Sequence, residues 1–131
     1  TVMPGCALHD FGDLVRTAAC SALEDEVDLE KVSFLPAVFG AIVEGYLESA
    51  GDMLEQGEID HLALAPQVIT YELGLRFLAD YLEGDLYFKI KRPGHNLDRA
   101  RAQFKLLSSM EDHFGEMEEI VRECSSPKAF A

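Results

Sequence analysis

The stretch from Gln67 to Glu83 limits what this chain can fold into more than any other. Val68, Ile69, Leu73, Leu75, Phe77, Leu78, Tyr81 and Leu82 recur at helical spacing and cover nearly the whole circumference. Pro66 stands where a helix tolerates proline, in a first turn, and Gly84 is suited to stop the helix in a left-handed conformation. A helix that is apolar all round is expected at the centre of a bundle. Glu72, Arg76 and Asp80 interrupt it at successive i+4 steps and so share one polar stripe, with Tyr71 next to Glu72. Charges on a buried element are costly unless paired. Two readings follow. The stripe is an ion network pinning the helix to its neighbours, or it lines a polar pocket in which Arg76 offers a planar set of donors to a ligand's oxygens.

Weaker signals flank it. Pro4 and Gly5 mark a turn, and Asp10 is a fitting N-cap for a helix over 11–22 that carries Leu14, Val15, Ala18 and Ala19. Ser33 to Pro36 opens a second helix through Val38, Phe39, Ile42, Val43, Tyr46 and Leu47 as far as Gly51. Residues 58–64 read as one or two helical turns, and 85–91 as a short extended segment. Pro93 and Gly94 make a turn, after which Asn96 caps a long final helix from Leu97 to about Glu123. The expectation is a mainly α chain, one domain over residues 1–131, with four to five helices and at most one short hairpin or extended segment.

With 131 residues and a formal charge of −13, the chain is sized for one domain and is strongly acidic. Acidity disfavours nucleic acid and an anionic membrane as partners, since both are held by clustered Lys and Arg. No apolar run reaches the length of a membrane span, and no basic segment leads into an apolar one at the start. Three widely spaced cysteines, Cys6, Cys20 and Cys124, with no C-x-x-C, fit reduced thiols in a reducing compartment, so a cytoplasmic location is expected. The opening Thr-Val-Met-Pro-Gly lacks an initiator Met and reads as the start of a fragment.

Two further clusters bear on chemistry. His9, Asp10 and Asp13 fall within one helical turn, where such side chains share a metal or simply cap a helix; a metal-dependent hydrolase is the corresponding third-ranked function. Residues 24–30 contain five acids, the composition of a solvated loop, whereas residues 89–105 hold Lys89, Lys91, Arg92, Arg99, Arg101 and Lys105 against the single acid Asp98. The basic patch either docks onto acidic parts of the same fold, such as 24–30, or steers an anionic substrate. No phosphate-cradling Gly-rich loop, G-x-S-x-G elbow, H-E-x-x-H helix or nucleophile–base pair occurs, so no catalytic and no metal residue is assigned.

Thr1-Val2-Met3-Pro4-Gly5, Leu8 and Asp10-Phe11-Gly12-Asp13 resemble the segment just after the metal-binding Asp of aminoglycoside-phosphotransferase-like kinases. More narrowly they resemble the N-acetylhexosamine 1-kinase branch, often labelled mucin-desulfatase-like. The runs Ile69-Thr70-Tyr71-Glu72-Leu73-Gly74-Leu75-Arg76-Phe77-Leu78, Asp80-Tyr81-Leu82-Glu83-Gly84-Asp85, Tyr87-Phe88-Lys89 and Gly94-His95-Asn96-Leu97-Asp98-Arg99-Ala100-Arg101 are similar to the C-terminal helices of that branch. The likeness covers roughly residues 1–113.

The resemblance implies the helical C-terminal subdomain of a protein-kinase-like fold. It implies transfer of the ATP γ-phosphoryl group to the anomeric hydroxyl of an N-acetylhexosamine-like sugar, with ATP and Mg²⁺ as cofactors of the longer enzyme and neither expected on this part alone. The H-G-D-x-x-x-x-N-like catalytic loop, the metal Asp and the ATP-binding lobe would lie upstream of Thr1, so this part is not expected to be active by itself. By the same resemblance Arg76 and Tyr87 contact the sugar, with Tyr71, Glu72, Asp80 and Tyr81 as further candidates, and Asp10 and Asp13 brace the catalytic loop. The expected partners are the sugar and the missing N-terminal part, or a second copy if the surface left by that part is apolar. The alternative is a stand-alone acidic helical module that binds a protein partner without catalysis.

Overall fold

The structure, a computed structural model, describes residues 4–126. Helices α1 (Pro4–Ala18), α2 (Pro36–Ala50), α3 (Gln56–Asp60), α4 (Ala65–Glu83), α5 (His95–Asp112) and α6 (Phe114–Ser125) are joined by loops and two 3-10 turns at Leu29–Lys31 and Gly51–Met53. The described residues are mainly α and form no sheet; one isolated antiparallel bridge, Cys20 to Phe34, ties the exit of α1 to the approach of α2.

Three of these elements differ from the sequence expectation. Pro4 and Gly5, read as a turn, form the first turn of α1, so Asp10 lies inside the helix and is not its cap. Proline at a first helical position costs nothing, because its missing N–H would be unpaired there anyway. Residues 85–91 form irregular loop, not strand. The single long final helix is two helices broken at His113, whose ring Nδ1 lies 2.8 Å from the Ser109 carbonyl and whose ring packs on Phe34 at 5.9 Å. The break lets α6 turn back along α2.

Packing divides into two sets. α4 lies against both α1 and α5, and α2 lies against α6. At the α1–α4 crossing a Cβ on Gly12 would sit 2.8 Å from the Ala65 carbonyl oxygen, and at the α4–α5 crossing one on Gly74 would sit 2.8 Å from the Phe104 ring. Glycine at these two points allows the close approach. Phe11, Phe34, Phe39 and Tyr46 meet at ring distances between 4.9 and 6.3 Å in the centre. Leu62, Leu106, Met110 and Met117 complete a core that joins both helix sets.

α4 is not buried all round. Ile69, Thr70, Gly74, Phe77 and Asp80 face inward, while Leu64, just before the helix, Val68, Tyr71, Leu75 and Leu82 lie exposed on the other side. Leu82 keeps 73% of its surface accessible. No helix among the described residues is long and apolar enough to cross a membrane.

Candidate functional site

The C-terminal half of α4 and the loop over residues 85–94 build a polar recess. Gly84 (φ 101°) caps α4 in the left-handed region and Asp85 (φ 62°) follows in the same region, so the chain reverses at once. Asp is one of the few L-residues that tolerate this backbone, because its side chain bonds locally. Here Asp85 Oδ1 accepts from Asn96 Nδ2 at 3.0 Å.

The returning loop passes over Asp80. This carboxylate is 4% exposed, and its Oδ1 accepts the Tyr87 backbone N–H at 2.8 Å. Its Oδ2 accepts the Phe88 N–H at 3.0 Å and Asn96 Nδ2 at 2.8 Å. Burial pushes the Asp80 carboxyl up, but the N–H groups of Phe88, Tyr87 and Leu86 and the Asn96 amide outweigh it and hold the group below its ordinary range. Asn96 Oδ1 in turn accepts from Arg99 Nη1 at 2.8 Å, and the Arg99 guanidinium lies 5.6 Å over the Phe77 ring. Asn96 therefore sits in the first turn of α5 as a cross-link, not as the expected N-cap, which is Gly94.

Held in this way, the loop sets Tyr87 and Phe88 perpendicular to each other at 4.9 Å, with the Arg76 guanidinium 5.5 Å and 5.6 Å over their rings. Arg76, Ala79, Asp80, Glu83, Tyr87 and Phe88 line an open recess of about 230 Å³. Arg76 has no ion-pair or hydrogen-bond partner among the described residues, so its five N–H donors are available to the recess. The arrangement supplies a fork of donors, a carboxylate acceptor in Glu83 and an exposed aromatic wall in Tyr87, which is 73% accessible.

Of the residues singled out from sequence, Arg76, Tyr87 and Asp80 come together here. Asp80 is committed to the loop backbone and acts as a strut below the recess. Tyr71 is half a helix away, 6.5 Å from the Phe104 ring, and Tyr81 does not line the recess. Glu72 lines a different, mostly apolar cavity of about 320 Å³ with His9, His61, Leu64 and Val68. The Glu72–Arg76–Asp80 ion network is not formed: i+4 spacing aligned the residues, but the helix turns the first two outward and only Asp80 inward. Sequence reasoning missed Glu83, Phe88 and Asn96. No sequence signal marked them: Gly84 is an ordinary helix stop, and the left-handed backbone of Asp85 that turns the loop back is seen only in the structure.

Asp13 bonds Arg16 Nε at 2.9 Å; Arg16 is buried and its Nη1 reaches Glu24 at 2.7 Å and Gln103 at 3.1 Å. Asp10 is exposed on α1. Among the described residues no three His, Cys, Asp or Glu side chains converge to hold a metal ion, so His9, Asp10 and Asp13 do not form the metal site their spacing allowed.

Part of the basic segment docks within the fold, while Lys89, Lys91 and Arg101 stay exposed. Arg92 bonds Asp98 at 2.9 Å and lies 3.8 Å from Asp25, while Lys105 Nζ donates to the Val32 carbonyl at 3.1 Å. The His95 ring Nε2 lies 2.8 Å from Asp25. The acidic run 24–30 is correspondingly anchored at Glu24 and Asp25 rather than wholly solvated. No protein-family model matches the chain.

Proposed function

We propose that this chain is the acceptor-sugar part of an ATP-dependent N-acetylhexosamine-like 1-kinase, with the sugar bound in the Arg76–Tyr87 recess. The observation that carries the reading is the unpaired Arg76 guanidinium laid across two aromatic rings beside Glu83. Sugar hydroxyls and an acetamide carbonyl take hydrogen bonds from such a fork, and the C–H face of a pyranose stacks on an aromatic wall. Asp80 and Asn96 hold that wall in place. ATP and Mg²⁺ belong on this reading to a catalytic part beyond these residues, and no step of phosphoryl transfer is assigned to the residues described.

The expected outcome of calorimetric titration with N-acetylhexosamines is saturable binding by the native chain. Arg76→Ala should weaken it roughly tenfold to a hundredfold, the range for hydrogen bonds from a charged donor. Unchanged affinity in Arg76→Ala removes Arg76 from the site, and sugar-dependent ATP turnover by the 131-residue chain overturns its assignment as an acceptor part only.

A second reading is favoured by the bare face of α4. Val68, Tyr71, Leu75 and Leu82 form an apolar stripe of a kind that ordinarily meets another body. On the kinase reading that body is the rest of the enzyme; on the alternative the chain is an acidic helical interaction module. Sedimentation separates them. Concentration-dependent, open-ended association is expected of a face parted from its partner, and a single monodisperse species of a free-standing module.

A further inference from the structure

His95 is used neither by the recess nor by the core, yet it is the most deeply enclosed imidazole among the described residues, with 2% of its surface accessible. It begins α5, next to Asn96. The two neighbours reach opposite ends of the same loop. Asn96 bonds Asp80 and Asp85 at its start. At its far end His95 Nδ1 faces the Lys91 backbone N–H at 3.1 Å.

That contact settles the form of the ring. A backbone N–H only donates, so Nδ1 must be an unprotonated acceptor. The single ring proton is then on Nε2, which donates to Asp25 Oδ2 at 2.8 Å. Hydrogen bonding from His95 is the largest influence on Asp25 and helps hold its carboxyl below the ordinary range. The other charges at the cluster are Arg92, 3.8 Å from Asp25, and Asp98, which holds Arg92 at 2.9 Å. One enclosed, neutral imidazole thus ties the acidic run after α1 to the loop that carries Tyr87.

We propose that His95 is a proton-sensitive latch on the loop over residues 85–94. The proton adds to Nδ1, the lone pair that accepts from Lys91. Two N–H groups then face each other across an enclosed contact, with the ring still clasped by Asp25. The Lys91 half of the loop must leave. The Asp80 and Asn96 contacts at the other half are untouched by that proton, so the loop opens from its Lys91 end. The latch stands independently of any ligand for the recess; if the recess binds a sugar, His95 is a positioning residue for Tyr87 and affinity falls with the same titration.

Amide exchange followed by NMR on the ligand-free chain tests this. The Lys91 amide protection, corrected for intrinsic exchange, should fall about tenfold, the scale of one lost hydrogen bond, as pH drops through the range in which imidazoles ionise. The fall should track the His95 ring resonances. His95→Gln keeps a donor and an acceptor but cannot titrate there, so its loop protection should be flat with pH. Asp25→Asn replaces a side chain that is 36% accessible and keeps an oxygen to accept from Nε2. It removes the charge that favours imidazolium, so release should move to lower pH. Protection at Lys91 that stays level while the His95 ring titrates overturns the latch, as does an unchanged pH profile in His95→Gln. Both readouts omit sugar, so failure of the sugar reading leaves them intact.

Discussion

The two faces of α4 use similar side chains to opposite ends. Inward, Ile69 and Phe77 are buried against α1 and α5 around Gly74, and Asp80 is the one charge admitted. Outward, Val68, Leu75 and Leu82 are as apolar as their inner counterparts yet keep between 43% and 73% of their surface accessible. Hydrophobicity therefore does not distinguish the faces. Backbone approach does: glycine allows the contact with Phe104, and Asp80 gains bonds only because a loop returns over it.

The inner face is the more sensitive of the two to substitution. Gly12→Ala forces a Cβ onto the Ala65 backbone, which cannot rotate away, and should cost about 1–3 kcal/mol in chemical denaturation. Gly74→Ala meets a ring that can shift, so a smaller loss is expected at that crossing. Next comes the loop. Asp80→Ala leaves two backbone N–H groups and one N–H of the Asn96 amide without an acceptor, and should lower the melting temperature and broaden the Tyr87 and Phe88 amide resonances. Asp80→Asn should do less, since one amide oxygen still accepts.

The sign of the pH effect at the same group is fixed by its lowered carboxyl. Its stabilisation is complete above the ordinary carboxylate value of about 3.9 and is lost only as pH falls below that through the folded-state value. Loop loss at this end thus belongs to strong acid and is separate from any release at the His95 end. Amide spectra recorded from neutral pH downward should show the two ends release separately. The smallest effect belongs to the outer face. Leu75→Glu should change folding stability by less than about 0.5 kcal/mol while abolishing any self-association seen by sedimentation.

Much of the helical frame was legible. Pro36, Pro66 and Gly84 punctuate the chain at the ends the structure shows, because each acts through local backbone sterics. The break at His113 was not legible, since no proline marks it and the ring that His113 packs on, Phe34, is far away in sequence. The start of α1 was misplaced because Pro and Gly serve turns and first helical turns alike. Arg76 and Tyr87, which the fold brings side by side, were paired in the sequence only by resemblance. Periodicity grouped Arg76 with Glu72, and the fold separated them by turning that side of α4 toward two different cavities. The roles of Asn96 and His95 were invisible because each is defined by partners across a loop reversal.

The order of the helices along the chain has a kinetic consequence. α4 and α5 are neighbours in sequence and in space, so they can close as a hairpin soon after the chain collapses. The α1–α4 and α2–α6 contacts each span long intervening segments and bear a larger loop-closure cost. Because α2 lies between α1 and α4 in sequence but packs on α6, neither set can finish as an uninterrupted stretch of chain. The α4–loop–α5 unit is therefore the expected folding nucleus. Substitutions at Phe77 or Leu106 should slow refolding, while those at Val43 or Met117 should chiefly speed unfolding.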